Sequence, residues 1–267
     1  MNEIRWTSRP VIGFLLAAGA ALVAAFDTVP AFLLRGDYGA FRQQAALREA
    51  VGRGLVEYWR DGGPAFPALL SRLVDYWFWW HAIKVVISSL MLVVFVLLAT
   101  ALWRRYLSGV AGRAVAAVGA SGVAVLATGL LILNIQVTAV PVVALLPLAG
   151  GPSSGELGQT LREMHQGLTE PGGSHANSPA LSVLLREAER YQWVMVAVAG
   201  TVLTATALAG WSLWRRRRTG PARLRFMRKA LGVILALTAS LLLLMVAAGT
   251  YSAIEPTGTL LAALGVS

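Results

Sequence analysis

Residues 78–103 read FWWHAIKVVISSLMLVVFVLLATALW, and this apolar run indicates a helix within a membrane. Its last 19 residues carry no charge, and about 20 apolar residues suffice for a helix to cross the hydrocarbon core. Inside a bilayer the backbone must satisfy its own hydrogen bonds, which favours a helix. The five predicted spans are residues 10–33, 78–103, 114–148, 192–214 and 230–253.

The composition of the whole chain agrees with a membrane protein. Of the 267 residues, 57% are hydrophobic and 13% are charged, which is too apolar for an ordinary soluble domain. Arginine outnumbers lysine strongly, and Ala, Val, Leu and Gly are abundant, as in proteins encoded by GC-rich bacterial genomes. We therefore expect an all-α integral membrane protein of a bacterial cytoplasmic membrane.

The net charge of +10 indicates an orientation in the membrane rather than nucleic-acid binding, because the basic residues crowd beside the spans. If the N-terminus and the turns at 104–113 and 215–229 share one side, that side holds 13 basic residues and a single acidic one, Glu3. The positive-inside rule makes this side cytoplasmic. We expect the N-terminus inside, the C-terminus outside, and no nucleic-acid partner.

The chain also matches itself at offsets of 110–114 residues. For example, Leu102–Arg105 recurs as Leu213–Arg216, and the Gly-Gly pair at 62–63 recurs at 172–173. These matches predict a tandem duplication; convergence of common membrane-edge motifs is the alternative. The predicted organisation is a first repeat at 1–109 with an outer insert at 35–76, a second repeat at 110–218 with an insert at 150–191, and a basic turn, fifth span and outer tail at 219–267.

Each insert is predicted to contain an amphipathic helix, because apolar side chains recur there every three or four residues. The stripes must lie against the bilayer surface or against each other. Pro67 and Pro179 suit the first turn of a long second helix in each repeat. Pro30 and Pro141 are placed to stop or kink the first span of each repeat. The two stripes are Leu47, Val51, Leu55 and Tyr58, and Leu157, Leu161, Met164 and Leu168.

Asn134, Gln136 and Thr138 place three uncharged polar side chains deep in the third predicted span. Polar groups in hydrocarbon need partners. The strip could line a substrate path at a break in the helix, or it could form a hydrogen-bonded clamp between helices. We favour the clamp.

Charged positions that both inserts keep form a candidate outer docking surface. A plain solvated helix face is the alternative, because neighbouring Arg and Glu are routine on surface helices. The candidate residues are Arg48, Glu49, Glu57, Arg162, Glu163 and Glu170.

The turn at 215–229 contains eight basic residues, more than orientation alone requires. Such clusters attract anionic lipid head groups at a membrane surface. Plain orientation by the positive-inside rule is the alternative, and we favour it. The candidate head-group contacts are Arg215, Arg216, Arg217, Arg218, Arg223, Arg225, Arg228 and Lys229.

The sequence offers little for catalysis, and we expect a non-enzymatic protein without catalytic residues, cofactor or metal. Asp27 and Lys84 are ionisable residues within the spans, both near the outer edge. Asp27 could bind a cation or pair with Lys84 or Arg35, but a side chain that extends to water is the ordinary outcome. Glu163, His165 and His175 could assemble a zinc site, but the first insert lacks both histidines. The chain contains no cysteine, which excludes thiolate sites.

Our leading hypothesis is an accessory or scaffold subunit that presents an outer helical cap to another membrane or extracytoplasmic protein. The alternative is a small transporter, permease subunit or lipid-binding protein with a path between the two repeats. The bilayer itself is the other expected partner, with a contribution from anionic lipids.

Overall fold

In the computed structural model, the described residues are 9–109, 112–150, 155–170, 178–216 and 219–265. Within these ranges all the regular secondary structure is helical. Short 3-10 turns lie at Gly39–Phe41 and Leu146–Leu148. The α-helices are α1 (Arg9–Leu33), α2 (Gln44–Asp61), α3 (Ala68–Leu107), α4 (Arg113–Ala139), α5 (Pro141–Leu145), α6 (Gly155–Thr169), α7 (Pro179–Arg215), α8 (Ala222–Ile254) and α9 (Pro256–Leu264).

Five helices, α1, α3, α4, α7 and α8, are long and apolar enough to cross a membrane. Much of their apolar surface is exposed: Leu237, Leu241 and Leu244 of α8 are 58–67% exposed. Lipid contact would remove this surface from water, which stabilises it by the hydrophobic effect. The prediction of an all-helical chain with five membrane helices is confirmed, whereas the tandem repeat stays a prediction.

The proline positions determine where several helices begin and end. α3 begins at Ala68, directly after Pro67, and α7 begins at Pro179, so both long helices start where the sequence predicts. α1 passes through Pro30 and ends at Leu33. The helix therefore ends at residue 33 as the predicted span does, and the proline ring, with its helical φ, is accommodated close to this end.

The third span is shorter than its hydropathy predicts. α4 ends at Ala139, and Val140 leaves the helical region with φ −140° and ψ 73° because Pro141 follows it. The apolar residues after this break form α5 and a 3-10 turn, in which Val142, Leu145 and Leu146 are buried. Their assignment to the span at 114–148 was wrong, since these side chains belong to a protein core.

The chain divides into two compact units. The first, called the span unit, is drawn from Met1–Val29, Lys84–Leu133 and Ala197–Val246. The second, called the insert unit, is drawn from Pro30–Ile83, Asn134–Val196 and Ala247–Ser267. The insert unit therefore combines both predicted inserts with the ends of the long helices.

The insert unit has a core to which the predicted stripes of α2 and α6 both contribute. Leu55, Tyr58 and Met164 are fully buried. The two helices pack on each other, and a Cβ atom added to Gly52 would lie 2.9 Å from a methyl group of Leu157. α2 ends at Asp61, and the next residue, Gly62, caps it with a φ of 65°, a left-handed conformation that glycine favours. The stripes thus face a shared protein core.

Helix α9, in the segment expected to be an outer tail, belongs to this same core. Leu260 and Leu264 are fully buried and pack in the cluster that contains the stripes of α2 and α6. Four residues separate these two leucines, so they lie on one face of the helix. The C-terminal segment is therefore a structural part of the insert unit.

Replacing Leu260 by Ala should lower the free energy of unfolding by about 2–5 kcal/mol, because it leaves a cavity in the core. The matched control is Ile254→Ala, since Ile254 is 69% exposed and its truncation opens no cavity. Thermal denaturation of each purified variant in mild detergent, compared with the wild type, measures both losses of stability. Equal losses in the two variants would contradict the core role of α9.

Candidate functional site

The seam between α2 and α6 is closed by a tryptophan–carboxylate contact. Trp59 Nε1 donates a hydrogen bond to Glu163 Oε2 at 2.7 Å. Gln159 Nε2 donates to Glu163 Oε1 at 2.8 Å, which orients the same carboxylate from within α6. A hydrogen bond to a charged acceptor is stronger than one between neutral groups. Glu163 therefore acts as a connection between the two inserts.

Tyr58 connects α2 to α7. Its hydroxyl donates to the carbonyl oxygen of Ala180 at 3.1 Å, and its side chain is fully buried. Burial disfavours the phenolate and raises the pKa of Tyr58 to about 12, while Arg186 acts in the opposite direction. The phenol is consequently held in its neutral, hydrogen-bonding form.

An open groove of about 690 Å³, called the charged groove, lies between α2 and α6. Gly52, Val56 and Leu157 form its apolar floor. Its rim carries three arginines and four carboxylates, a nearly balanced set that offers partners for both signs of charge. The rim residues are Arg48, Glu49, Arg53, Glu57, Arg60, Asp61 and Glu156.

Two ion pairs lie on this rim, one between α2 and α6 and one within α2. Arg60 Nη2 lies 2.8 Å from Glu156 Oε1, and their side chains are 62% and 69% exposed. Arg53 Nε lies 3.9 Å from Glu49 Oε1 on the same helix face. Exposed pairs of this kind contribute about 0–1 kcal/mol to stability. Breaking these ion pairs therefore costs little free energy, and the rim side chains can rearrange around a binding partner.

The predicted docking residues divide into three groups. Arg48, Glu49 and Glu57 come together in the charged groove. Arg162 and Glu170 are exposed but do not line it, and Glu163 is engaged with Trp59. The sequence argument missed Arg53, Arg60, Asp61 and Glu156, which have no counterparts in the repeat. Spacings of three and four residues along α2 could have placed the first three beside Glu49 and Glu57.

The polar strip of α4 lies in the insert unit. Gln136 Nε2 donates to the backbone carbonyl of Tyr191 in α7 at 3.2 Å, and Thr138 Oγ1 donates to the carbonyl of Asn134 at 2.7 Å. Asn134 and Gln136 are buried. A hydrogen bond between α4 and α7 is the geometry expected of the clamp.

Asp27 and Lys84, the two ionisable residues noted within the predicted spans, form an ion pair. Lys84 Nζ lies 2.8 Å from Asp27 Oδ1 and 4.4 Å from the centre of the Phe26 ring. The Lys84 side chain is 13% exposed and that of Asp27 is 79% exposed. Among the described residues no cluster of three metal-ligating side chains occurs, and His175 of the zinc hypothesis lies outside them.

The basic turn uses its side chains in different ways. Arg223 Nη1 donates to the carbonyl of Tyr106 at 3.2 Å, and Arg228 Nη1 donates to the carbonyls of Arg216 and Thr219 at 2.6 and 2.8 Å. Arg223 and Arg228 thus hold the turn together. Exposed members of the set are Arg215, Arg216, Arg223, Arg225 and Lys229, while Arg217 and Arg218 lie outside the described residues.

No protein-family model, curated protein or solved structure matches this chain.

Replacing Trp59 by Phe should destabilise the insert unit by about 1–3 kcal/mol, because the Glu163 carboxylate loses a donor while it stays half-buried. The matched control is Trp193→Phe, since Trp193 Nε1 also donates to a glutamate, Glu189, but at 3.3 Å on an exposed face. SDS titration of the purified protein gives both free energies. A control loss as large as that of Trp59→Phe would contradict the seam role.

Stability should fall when the pH rises above 10. The raised pKa means that the folded state keeps the Tyr58 proton between pH 10 and about 12 while the unfolded state loses it. The free energy of unfolding then falls by about 1.4 kcal/mol per pH unit in this window. Tyr58→Phe should lack this contribution to the slope while losing about 1 kcal/mol below pH 10. A constant difference between the two proteins across the window would contradict the assignment.

Proposed function

We propose that this chain is a non-enzymatic accessory or scaffold subunit that presents the insert unit to a partner protein. In this proposal it is a multi-pass protein of the bacterial cytoplasmic membrane, with its N-terminus inside and its C-terminus outside. The five apolar helices are compatible with a membrane location. The excess of basic residues at the predicted inner turns supports the orientation.

The charged groove is the observation that carries the proposal. Its floor is apolar and its rim bears exposed charges of both signs, which is the pattern of a protein-binding surface with a polar border. A nearly balanced charge is unsuited to nucleic acid, since a polyphosphate needs an excess of basic groups. The partner should be another membrane or extracytoplasmic protein with a surface segment that carries both signs.

A photo-crosslinking residue placed at Glu57 should give one dominant protein adduct when native membranes are illuminated. Gln166, which is exposed on α6 outside the groove, supplies the matched control position. The adduct from Glu57 should weaken when Arg48 is reversed in charge by Arg48→Glu, because complementary charges steer association.

Equal adducts from Glu57 and Gln166, or no protein adduct at Glu57, would contradict docking at the groove. Solute movement by the purified protein alone in liposomes would replace the scaffold role by the second candidate, a small transporter, permease subunit or lipid-binding protein.

The second candidate is favoured by an open cavity of about 310 Å³ in the span unit, between α3, α4, α7 and α8. Four of its hydroxyls donate to the carbonyl four residues earlier. The oxygen of Ser121 already accepts from Trp103 Nε1 at 3.2 Å, and the other three can accept hydrogen bonds from a bound molecule. An apolar cavity with such acceptors suits a largely apolar ligand. The hydroxyl-bearing lining residues are Thr100, Ser121, Thr128, Thr206 and Thr238.

A further inference from the structure

A second groove, of about 500 Å³, lies in the span unit between the end of α7 and the beginning of α8. One of its ends is basic, and its remaining lining is apolar. None of the described residues that line it is acidic. The lining residues are Trp214, Arg225, Phe226, Arg228, Lys229, Gly232, Val233 and Ala236.

The basic end is formed by Arg225 and Lys229, which are four residues apart and share one face of α8. Both side chains are exposed. Arg228 differs, because its guanidinium donates to two carbonyls and to Thr219 Oγ1 within the turn. Arg225 and Lys229 are therefore the cations of this groove that are best placed to meet an anion.

The apolar part follows the same face of α8 away from the charges. Val233, which is 52% exposed, and Ala236 continue the line from Arg225 and Lys229, so the groove runs along about 16 Å of helix at 1.5 Å per residue. Trp214 of α7 contributes an aromatic wall. Trp residues are enriched at the membrane–water interface, where one end of the ring contacts hydrocarbon.

We propose that this groove binds one anionic phospholipid, with its phosphate on Arg225 and Lys229 and an acyl chain along Val233 and Ala236. Charge complementarity selects an anion, and the adjoining apolar face selects a molecule whose anionic group is attached to hydrocarbon. Free phosphate would use only the basic end. The lipid site shares no residue with the charged groove. The result of its test is therefore independent of whether the protein acts as a scaffold.

The test is native mass spectrometry of the delipidated protein titrated with phosphatidylglycerol and, in parallel, with phosphatidylcholine. The wild type should bind one phosphatidylglycerol more tightly than phosphatidylcholine. The double variant Arg225→Gln/Lys229→Gln should bind phosphatidylglycerol about tenfold more weakly, because two cations at the head group are removed. Millimolar inorganic phosphate should not displace the lipid.

A matched control separates a specific site from general attraction to basic protein. Arg105→Gln/Arg113→Gln removes the same charge from residues that do not line the groove, and it should leave the affinity unchanged. If both double variants weaken binding equally, or if both lipids bind equally, the proposal is overturned. Displacement by inorganic phosphate would also overturn it, in favour of a simple anion site.

A second variant tests the apolar part without changing any charge. A Cβ atom added to Gly232 meets nothing within 4 Å, so Gly232→Leu can fill the groove without a backbone clash. Leucine has a higher helix propensity than the glycine it replaces, so the variant should still fold. The control is Gly119→Leu in α4, where a Cβ atom also meets nothing within 4 Å. The affinity for phosphatidylglycerol should fall about tenfold in Gly232→Leu and stay unchanged in Gly119→Leu. An unchanged affinity in Gly232→Leu would refute the proposed position of the acyl chain.

Discussion

The close approach of α2 and α6 is the contact on which the insert unit depends. Because residue 52 is glycine, the Leu157 side chain can lie directly over the α2 backbone. This approach brings Trp59 within hydrogen-bonding distance of Glu163 and Arg60 within reach of Glu156. The same crossing leaves the charged groove open beside it, so the packing contact and the candidate binding surface have one origin.

The matching charges of the two inserts illustrate how similar sequence positions acquire different tasks. Glu49 and Glu163 are counterparts in the predicted repeat. Glu49 is exposed and pairs with Arg53 on its own helix, whereas Glu163 is half-buried and accepts a hydrogen bond from α2. A carboxylate loses hydration when it is buried, so it requires a donor there. The docking surface proposed for both inserts is consequently concentrated on α2.

The basic side chains of the turn at 215–229 likewise differ in what they contact. Arg223 donates to the carbonyl of Tyr106 in the last turn of α3, and Arg228 donates to the carbonyl of Thr219 within the turn. Arg225 and Lys229 point their charge toward a groove with an apolar floor. Two arginines thus stabilise the turn, and the other two cations are available to the lipid. A count of basic residues alone could not make this distinction.

Hydrophobic periodicity and length by themselves predicted the five apolar helices and the buried stripe of α2, and the proline positions predicted the starts of α3 and α7. Tertiary structure decided what each buried face meets. The apolar residues after Pro141 and those of helix α9 pack in the core of the insert unit. Their hydropathy could not indicate this, because a side chain has the same hydropathy whether it contacts lipid or protein. Trp59 and Glu163 are 104 residues apart, and Gln136 and Tyr191 are 55 apart. Such contacts are visible only in the folded chain. The spacing of apolar residues along a helix indicates which face is buried, but it does not indicate which other element that face contacts.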